Sequence, residues 1–453
     1  MAHAKTAPVE GKGDLVGWLE AGATARADWR IGTEHEKFLF ERQGLARPAY
    51  EGDRGVRALL QGLADEHSWT PIMEGEHIIG LKDNEGGSIT LEPGGQFELS
   101  GAPLENLHQT CDETNRHLTH LRAATARLGL GMLGVGFDPK WSRADIPWMP
   151  KGRYRIMRNH MPKVGSLGLD MMLRTSTIQV NLDYADERDM ARKFRTSLAL
   201  QPVATAIFAN SPFRDGKPGG LLSCRAEAWT DTDPARCGVP ACVFDPGFGY
   251  EQWVDYILDV PMYFLHVGDD YADVAGLSFR DFMAGRLPGH EGKLPTIDDW
   301  ADHITTAFPE VRLKSYLEMR GADGGPWNMI CALPALWTGL LYDDDALTAA
   351  EELAAGLTAA DVADARMEAA RHGLRGEIGG RPMLEIARQM VRIAGEGLHR
   401  RARLDSSGND ETGFLNPIRQ IVDSGTTRAE ILLGHYQQNW QSTVDPLYEE
   451  FQF

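Results

Sequence analysis

Residues 174–183 read RTSTIQVNLD, and this stretch decides the fold. Successive side chains of an extended chain point to opposite faces, so Ile178, Val180 and Leu182 share one face while Thr175, Thr177, Gln179, Asn181 and Asp183 share the other. Parallel strands buried on both faces carry nearly continuous apolar runs, whereas this alternation predicts an antiparallel strand with one face covered. The pattern recurs elsewhere. Residues 88–92 (SITLE) and 96–100 (QFELS) set Ile89, Leu91, Phe97 and Leu99 against Thr90, Glu92, Gln96, Glu98 and Ser100, and the intervening Pro93-Gly94-Gly95 predicts a hairpin. Residues 32–40 place Glu34, Glu36, Phe38 and Phe40 on one side, and residues 315–320 bring Tyr316, Glu318 and Arg320 together. Between these strands, residues 104–128 form a helical candidate with Leu104, Leu107, Cys111, Leu118 and Leu121 as its buried stripe. The reading is an α+β protein: an antiparallel sheet, helices on its apolar face, and a polar concave face left open.

At 453 residues the chain is long enough for two or three domains or one large one. Apolar residues make up 42% and charged residues 25%, which excludes collagen-like and wholly disordered classes. The formal charge of −19 repels phosphate backbones and anionic membrane surfaces, so nucleic-acid and membrane partners are not expected. The amino-terminal MAHAKTAPVEGKGDL has no apolar export core, and five scattered cysteines do not form a disulfide framework, so a reducing, cytoplasmic location is expected. Near residue 343 the composition turns to Ala, Glu, Leu and Arg. There Thr348–Glu351 has capping-box spacing, and Pro382 stands at a first helical position before the periodic Met383, Ile386, Ala387, Met390, Val391 and Ala394. The last hundred residues therefore read as a helical support, with a surface loop at residues 405–410.

Nucleotide motifs of the common kinds are missing. Gly129, Gly131 and Gly134 have dinucleotide-loop spacing but follow a helix and lead into an extended segment, the reverse of what that loop requires. The paired carboxylates say more. Glu34 and Glu36 lie two apart on one strand face, and Glu92, Glu98 and Glu318 repeat the arrangement; a face so rich in carboxylates needs cations, and two or more Mg²⁺ ions suit oxygen ligands of this kind. Each such pair, taken alone, is equally a solvated strand face, and Gln96, Gln179 and Asn181 are equally cross-strand polar pairs. Positive charge is concentrated at residues 151–163 (KGRYRIMRNHMPK), read as a basic loop whose arginines suit an anionic substrate; Arg225 and Arg320 are further candidates. Cys224, Cys237 and Cys242 lack the spacing of a zinc knuckle.

The segments GTEHEK (residues 32–37), LEPGGQFELSGAPL (91–104), the run from Met149 to Asp183, and EMRGADGGPW (318–327) resemble the plant-type glutamate-cysteine ligases, over nearly the whole chain. The resemblance implies a glutamine-synthetase-like catalytic fold in which the sheet forms a funnel, one catalytic domain over residues 1–453, and ATP-dependent joining of L-glutamate to L-cysteine through a γ-glutamyl phosphate. It also implies Glu34, Glu36, Glu92, Glu98 and Glu318 as Mg²⁺ ligands, and Arg153, Arg225 and Tyr263 as substrate contacts. Arg320, with Glu318, is implied at the reacting phosphate, and Gln96, Thr177, Gln179 and Asn181 as pocket lining. It further implies a disulfide between Cys111 and Cys331; a second pair is missing, since Val274 and Gly289 stand at its positions. Two alternatives stay open: a sibling ligase with another amine acceptor, and a non-catalytic nucleotide-binding protein on the same scaffold.

Overall fold

The structure is a computed structural model that describes residues 8–268 and 270–453. The first seven residues of the amino-terminal segment read above lie outside the described part.

Among the described residues, nine strands form one sheet: β1 (Ile31–Glu41), β2 (Thr70–Glu74), β3 (His77–Lys82), β4 (Ser88–Leu91), β5 (Phe97–Ser100), β6 (Leu130–Leu133), β7 (Thr177–Leu182), β8 (Val311–Leu313) and β9 (Leu317–Asp323). Their order is β8-β9-β7-β1-β5-β4-β3-β2, with β6 pairing the far half of β1, and every pairing is antiparallel, as the alternating pattern requires. The expected hairpin is present as β4–β5, closed by Gly95 at φ +74°, a value that favours glycine. One register irregularity matters below. Between Met319 and Ala322, β9 gains a residue against β7, a bulge at Arg320–Gly321.

The apolar strand faces are covered as expected. Ile178, Val180 and Leu182 are fully buried in a core shared with the helices Glu187–Ile207 and Trp327–Leu341. The helix Leu107–Arg127, capped by Asn106 through the Gln109 N–H, lies against β1 and β6. Cys111 on that helix and Cys331 on Trp327–Leu341 are joined by a disulfide, with their Cα atoms 5.7 Å apart.

Three local expectations are corrected. Residues 151–163 are not a loop: Gly152–His160 is helical, because Tyr154 and Met157 bury against the sheet while Arg155, Arg158 and Lys163 face solvent. Thr348 is not a cap; the helix starts at Asp344, where the side chain of Asp343 accepts the Ala346 N–H, and Thr348 lies inside it. Pro382 is the cap of the helix Met383–Arg401 rather than its first residue. The helical support also begins ahead of residue 343. Trp327–Leu341 crosses Met383–Arg401 where Gly339, Ala394 and Gly397 let the two backbones meet.

Candidate active site

The polar faces of β1, β4, β5, β7, β8 and β9 surround one cavity of about 400 Å³. Register explains why its charges meet. Glu36 stands directly opposite Glu98 across β1–β5, and Glu34 opposite Gln179 across β1–β7. Like charges placed opposite each other on a strand pair repel. Burial first, then Glu92 and Glu98, raises the Glu36 carboxyl well above its ordinary range; burial, then Glu318 and Glu98, pushes Glu34 up to about 7; burial, then Glu92, raises Glu98. Each carboxylate is held by the sheet. Glu36 accepts the Thr177 N–H at 3.1 Å, Glu34 the Asn181 amide at 2.8 Å, and Glu98 the hydroxyls of Thr90 and Ser100 at 2.9 Å each.

Glu318 differs. It is 0% exposed and is gripped by Arg312 at 2.8 Å, Lys314 at 3.0 Å and Arg320 at 2.6 Å. Burial works against its charge, but these three cations hold it well below the usual carboxylate range. Arg320 also donates to Gln179 Oε1 at 2.7 Å. Beside Arg320, Arg225 is 4% exposed and donates to the Arg320 carbonyl at 2.7 Å, and its Nε has no hydrogen-bond partner. That N–H is a buried donor left free by the protein.

Of the site residues read from the sequence, Glu34, Glu36, Glu92, Glu98, Glu318, Gln96, Thr177, Gln179, Arg153, Arg225, Tyr263 and Arg320 all line this cavity. Asn181 does not; it sits at the margin, opposite Gly32 and Glu318, with its amide spent on Glu34. Gln96 lines the wall but is already engaged, with its amide donating to the Thr175 carbonyl at 2.7 Å and its oxygen accepting the Gly94 N–H at 3.0 Å. Tyr263 turns its hydroxyl to Met161 Sδ at 3.5 Å and stacks its ring under Arg236. The sequence reading missed Arg312 and Lys314, whose two-residue spacing with Tyr316 was the available signal. It reads Lys151 as part of a basic loop, whereas that residue caps a helix, is buried, donates to the Leu91 carbonyl at 2.8 Å, and is lowered to about 8 by burial and then Arg153. Cys224, Cys237 and Cys242 are free thiols.

Among the described residues, no three Asp, Glu, His or Cys side chains stand close enough to hold an ion unaided.

An antiparallel sheet thus carries helices behind it and, before it, one cavity in which opposed carboxylates meet arginines, an α+β class of fold with a charged site on its open face. The model of glutamate-cysteine ligase family 2 matches residues 30–450. Curated relatives include the chloroplastic glutamate-cysteine ligase of Solanum lycopersicum, 54% identical over 97% of this chain and 82% of that protein, and the enzyme of Arabidopsis thaliana, 54% identical over 96% and 82%. Chloroplastic glutamate-cysteine ligase B of Oryza sativa is 53% identical over 97% and 86%. The solved glutamate-cysteine ligase of Francisella tularensis in complex with AMP superposes with a TM-score of 0.54 at 12% identity, covering 94% of this chain and 89% of that one, and supports the fold. The chain belongs to glutamate-cysteine ligase family 2. One expectation falls with this result. A cytoplasmic location does not stand, because these curated relatives are named chloroplastic. No helix of the described residues is long and apolar enough to cross a membrane.

Proposed function

We propose that the protein joins the γ-carboxylate of L-glutamate to the amine of L-cysteine at the expense of ATP, the first step of glutathione biosynthesis, with residues 1–453 acting as one catalytic unit. The observation that carries this reading is that one cavity is lined both by the repelling carboxylates Glu34, Glu36, Glu92 and Glu98 and by the cations Arg153, Arg225, Arg312, Lys314 and Arg320. A carboxylate is a poor electrophile, so a γ-carboxylate oxygen first attacks the γ-phosphorus of ATP; the bond to the bridging oxygen breaks and ADP leaves. The cysteine nitrogen then attacks the acyl carbon, the amide bond forms, and phosphate departs with the electron pair of the broken C–O bond.

The donor set fits Mg²⁺, because Glu34, Glu36 and Glu98, three carboxyls raised by burial and by neighbouring carboxylates, are relieved by a hard cation. Glu34, Glu36, Glu92 and Glu98 would hold it; Glu318, already shared among three cations, joins an ion only by releasing one of them. The chemistry the ions supply is screening of phosphoryl charge. Arg320, fixed by Glu318 and Gln179, is placed to take the transferred phosphoryl group. Arg225 and Arg153 would take the carboxylates of the amino-acid substrate, and Thr177 and Gln179 line the same cavity. The test is phosphate release with ATP, Mg²⁺ and glutamate, with and without cysteine. Stimulation by cysteine, with γ-glutamylcysteine as product, is the expected result. Equal or greater turnover with another amine would transfer the assignment to a sibling ligase, and no glutamate-dependent release would refute it.

A further inference from the structure

Asp323 ends β9 and is 1% exposed, yet it is not among the carboxylates that ring the cavity. Its oxygens accept three hydrogen bonds of 2.7 Å, from the Asn210 N–H, the Ser211 hydroxyl and the Ser223 hydroxyl. An ionised carboxylate only accepts, so both serine protons are committed to it and the hydroxyl lone pairs face the other way. There Ser223 Oγ accepts the Ala226 N–H at 3.0 Å and Ser211 Oγ accepts the Arg225 N–H at 3.3 Å. These are two of the free N–H groups at the start of the short helix Cys224–Ala228. One carboxylate thus sets the direction of two hydroxyls, and the hydroxyls set the backbone of Arg225.

The other end of Arg225 depends on the same strand. Its Nη2 donates to the carbonyl of Arg320, which lies in the bulge of β9; pairing resumes at Ala322, opposite Ile178, and Asp323 follows, opposite Thr177. The Asp323 charge also faces the Arg225 guanidinium.

We propose that Asp323 is the positioning residue for Arg225: it orders Ser211 and Ser223 behind the helix that carries the arginine, so that a substrate carboxylate meets a guanidinium already fixed in place. This deepens the proposed function and rests on Arg225 as a glutamate contact. Asp323 itself touches no substrate.

Asp323→Asn puts an N–H₂ donor where an acceptor oxygen stood, so one serine hydroxyl must turn round and abandon its backbone N–H. The glutamate KM is expected to rise about tenfold, the size of one misplaced charge-assisted hydrogen bond, with the ATP KM changed by less than about twofold. In an Arg225→Lys background, which has already lost the fork, the same change should move the glutamate KM by less than about twofold. Equal effects on both substrates, or an undiminished effect in the Arg225→Lys background, would overturn the proposal by making Asp323 merely structural. Ser211→Ala, which removes only the hydroxyl on the Arg225 N–H, should give the same split with a smaller rise, and serves if Asp323→Asn does not fold. A crystal structure of the variant decides the point independently of substrate: a displaced guanidinium supports the coupling and an unmoved one refutes it. If the wild-type enzyme shows no glutamate-dependent phosphate release, the functional reading falls while this structural result still stands or fails by itself.

Discussion

Arg312 is the residue whose loss should be felt most at the Glu318 end of the cavity. Its Nη2 pairs with Glu318 at 2.8 Å, and its Nη1 donates to the carbonyls of Thr305 at 2.6 Å and Ala307 at 2.9 Å. Arg312→Met keeps the length and the apolar stem and removes all three interactions. Breaking a buried pair costs about 3–5 kcal/mol. Glu318 keeps Lys314 and Arg320, which places the loss at the low end of that range; two carbonyls losing their donor add about 1 kcal/mol each. Glu34 also gains an unshielded neighbour, since Glu318 already raises its carboxyl. The expected destabilisation is about 4–5 kcal/mol. For a chain of this length the unfolding entropy is about 1 kcal/mol/K, so calorimetry of the ligand-free protein should show a Tm lowered by about 4–5 °C. Arg312→Lys restores the charge but cannot serve the carboxylate and both carbonyls together, and should recover about half. A shift below about 1 °C for Arg312→Met, or no difference between Met and Lys, would refute the reasoning.

Burial raises Glu113 to about 7, from an ordinary value of 4.5, with the Ala102 N–H pulling the other way. An acid raised on folding contributes stability below its unfolded pKa and loses it as pH rises through its folded pKa. Glu113→Gln should therefore match wild type at pH 4, gain over it between about pH 4.5 and 7, and hold a lead of about 3 kcal/mol above that in melts run across pH; a lead that shrinks with pH contradicts the sign. At the crossing of the two long carboxy-terminal helices, a Cβ at residue 397 would overlap the Gly339 carbonyl oxygen, so Gly397→Ala should fail to fold or lose more than about 3 kcal/mol. Gly395→Ala, whose Cβ meets only the mobile end of Arg419 at 2.9 Å, should change the Tm by less than about 1 °C. Peptide mapping without reduction should recover one peptide pair joined through Cys111 and Cys331, and Cys331→Ser should lower stability by about 2–4 kcal/mol; free thiols at both positions under oxidising conditions would exclude the bridge.

The faces of β1, β4, β5 and β7 were legible because each strand is long enough, or paired closely enough in sequence, for alternation to be read without knowing its neighbour. Glu34, Glu36, Glu92 and Glu98 followed from parity alone. Arg312 and Lys314 did not, since β8 is only three residues long, ends before Lys314, and leaves their two-residue spacing with Tyr316 as the one signal. Asn181 shows a second limit: parity put it on the correct face, but register decides which residues of that face meet the cavity, and register set it beside Gly32 at the margin.

Asp323 shows the third limit and the most consequential one. Strict alternation from Glu318 and Arg320 puts Ala322 on the polar face and sends Asp323 to the apolar side. The bulge at Arg320–Gly321 inserts one residue and reverses that assignment, pairing Ala322 with the buried Ile178 and Asp323 with Thr177. The same extra residue frees the Arg320 carbonyl to receive Arg225. Gly321 permits it, because a Cβ there would run into Gln201 and Thr205 of the helix behind. A single inserted residue therefore carries Asp323 to the side of the sheet where Ser211 and Ser223 wait, and turns a residue that alternation would bury behind the sheet into the one that orders an arginine in front of it.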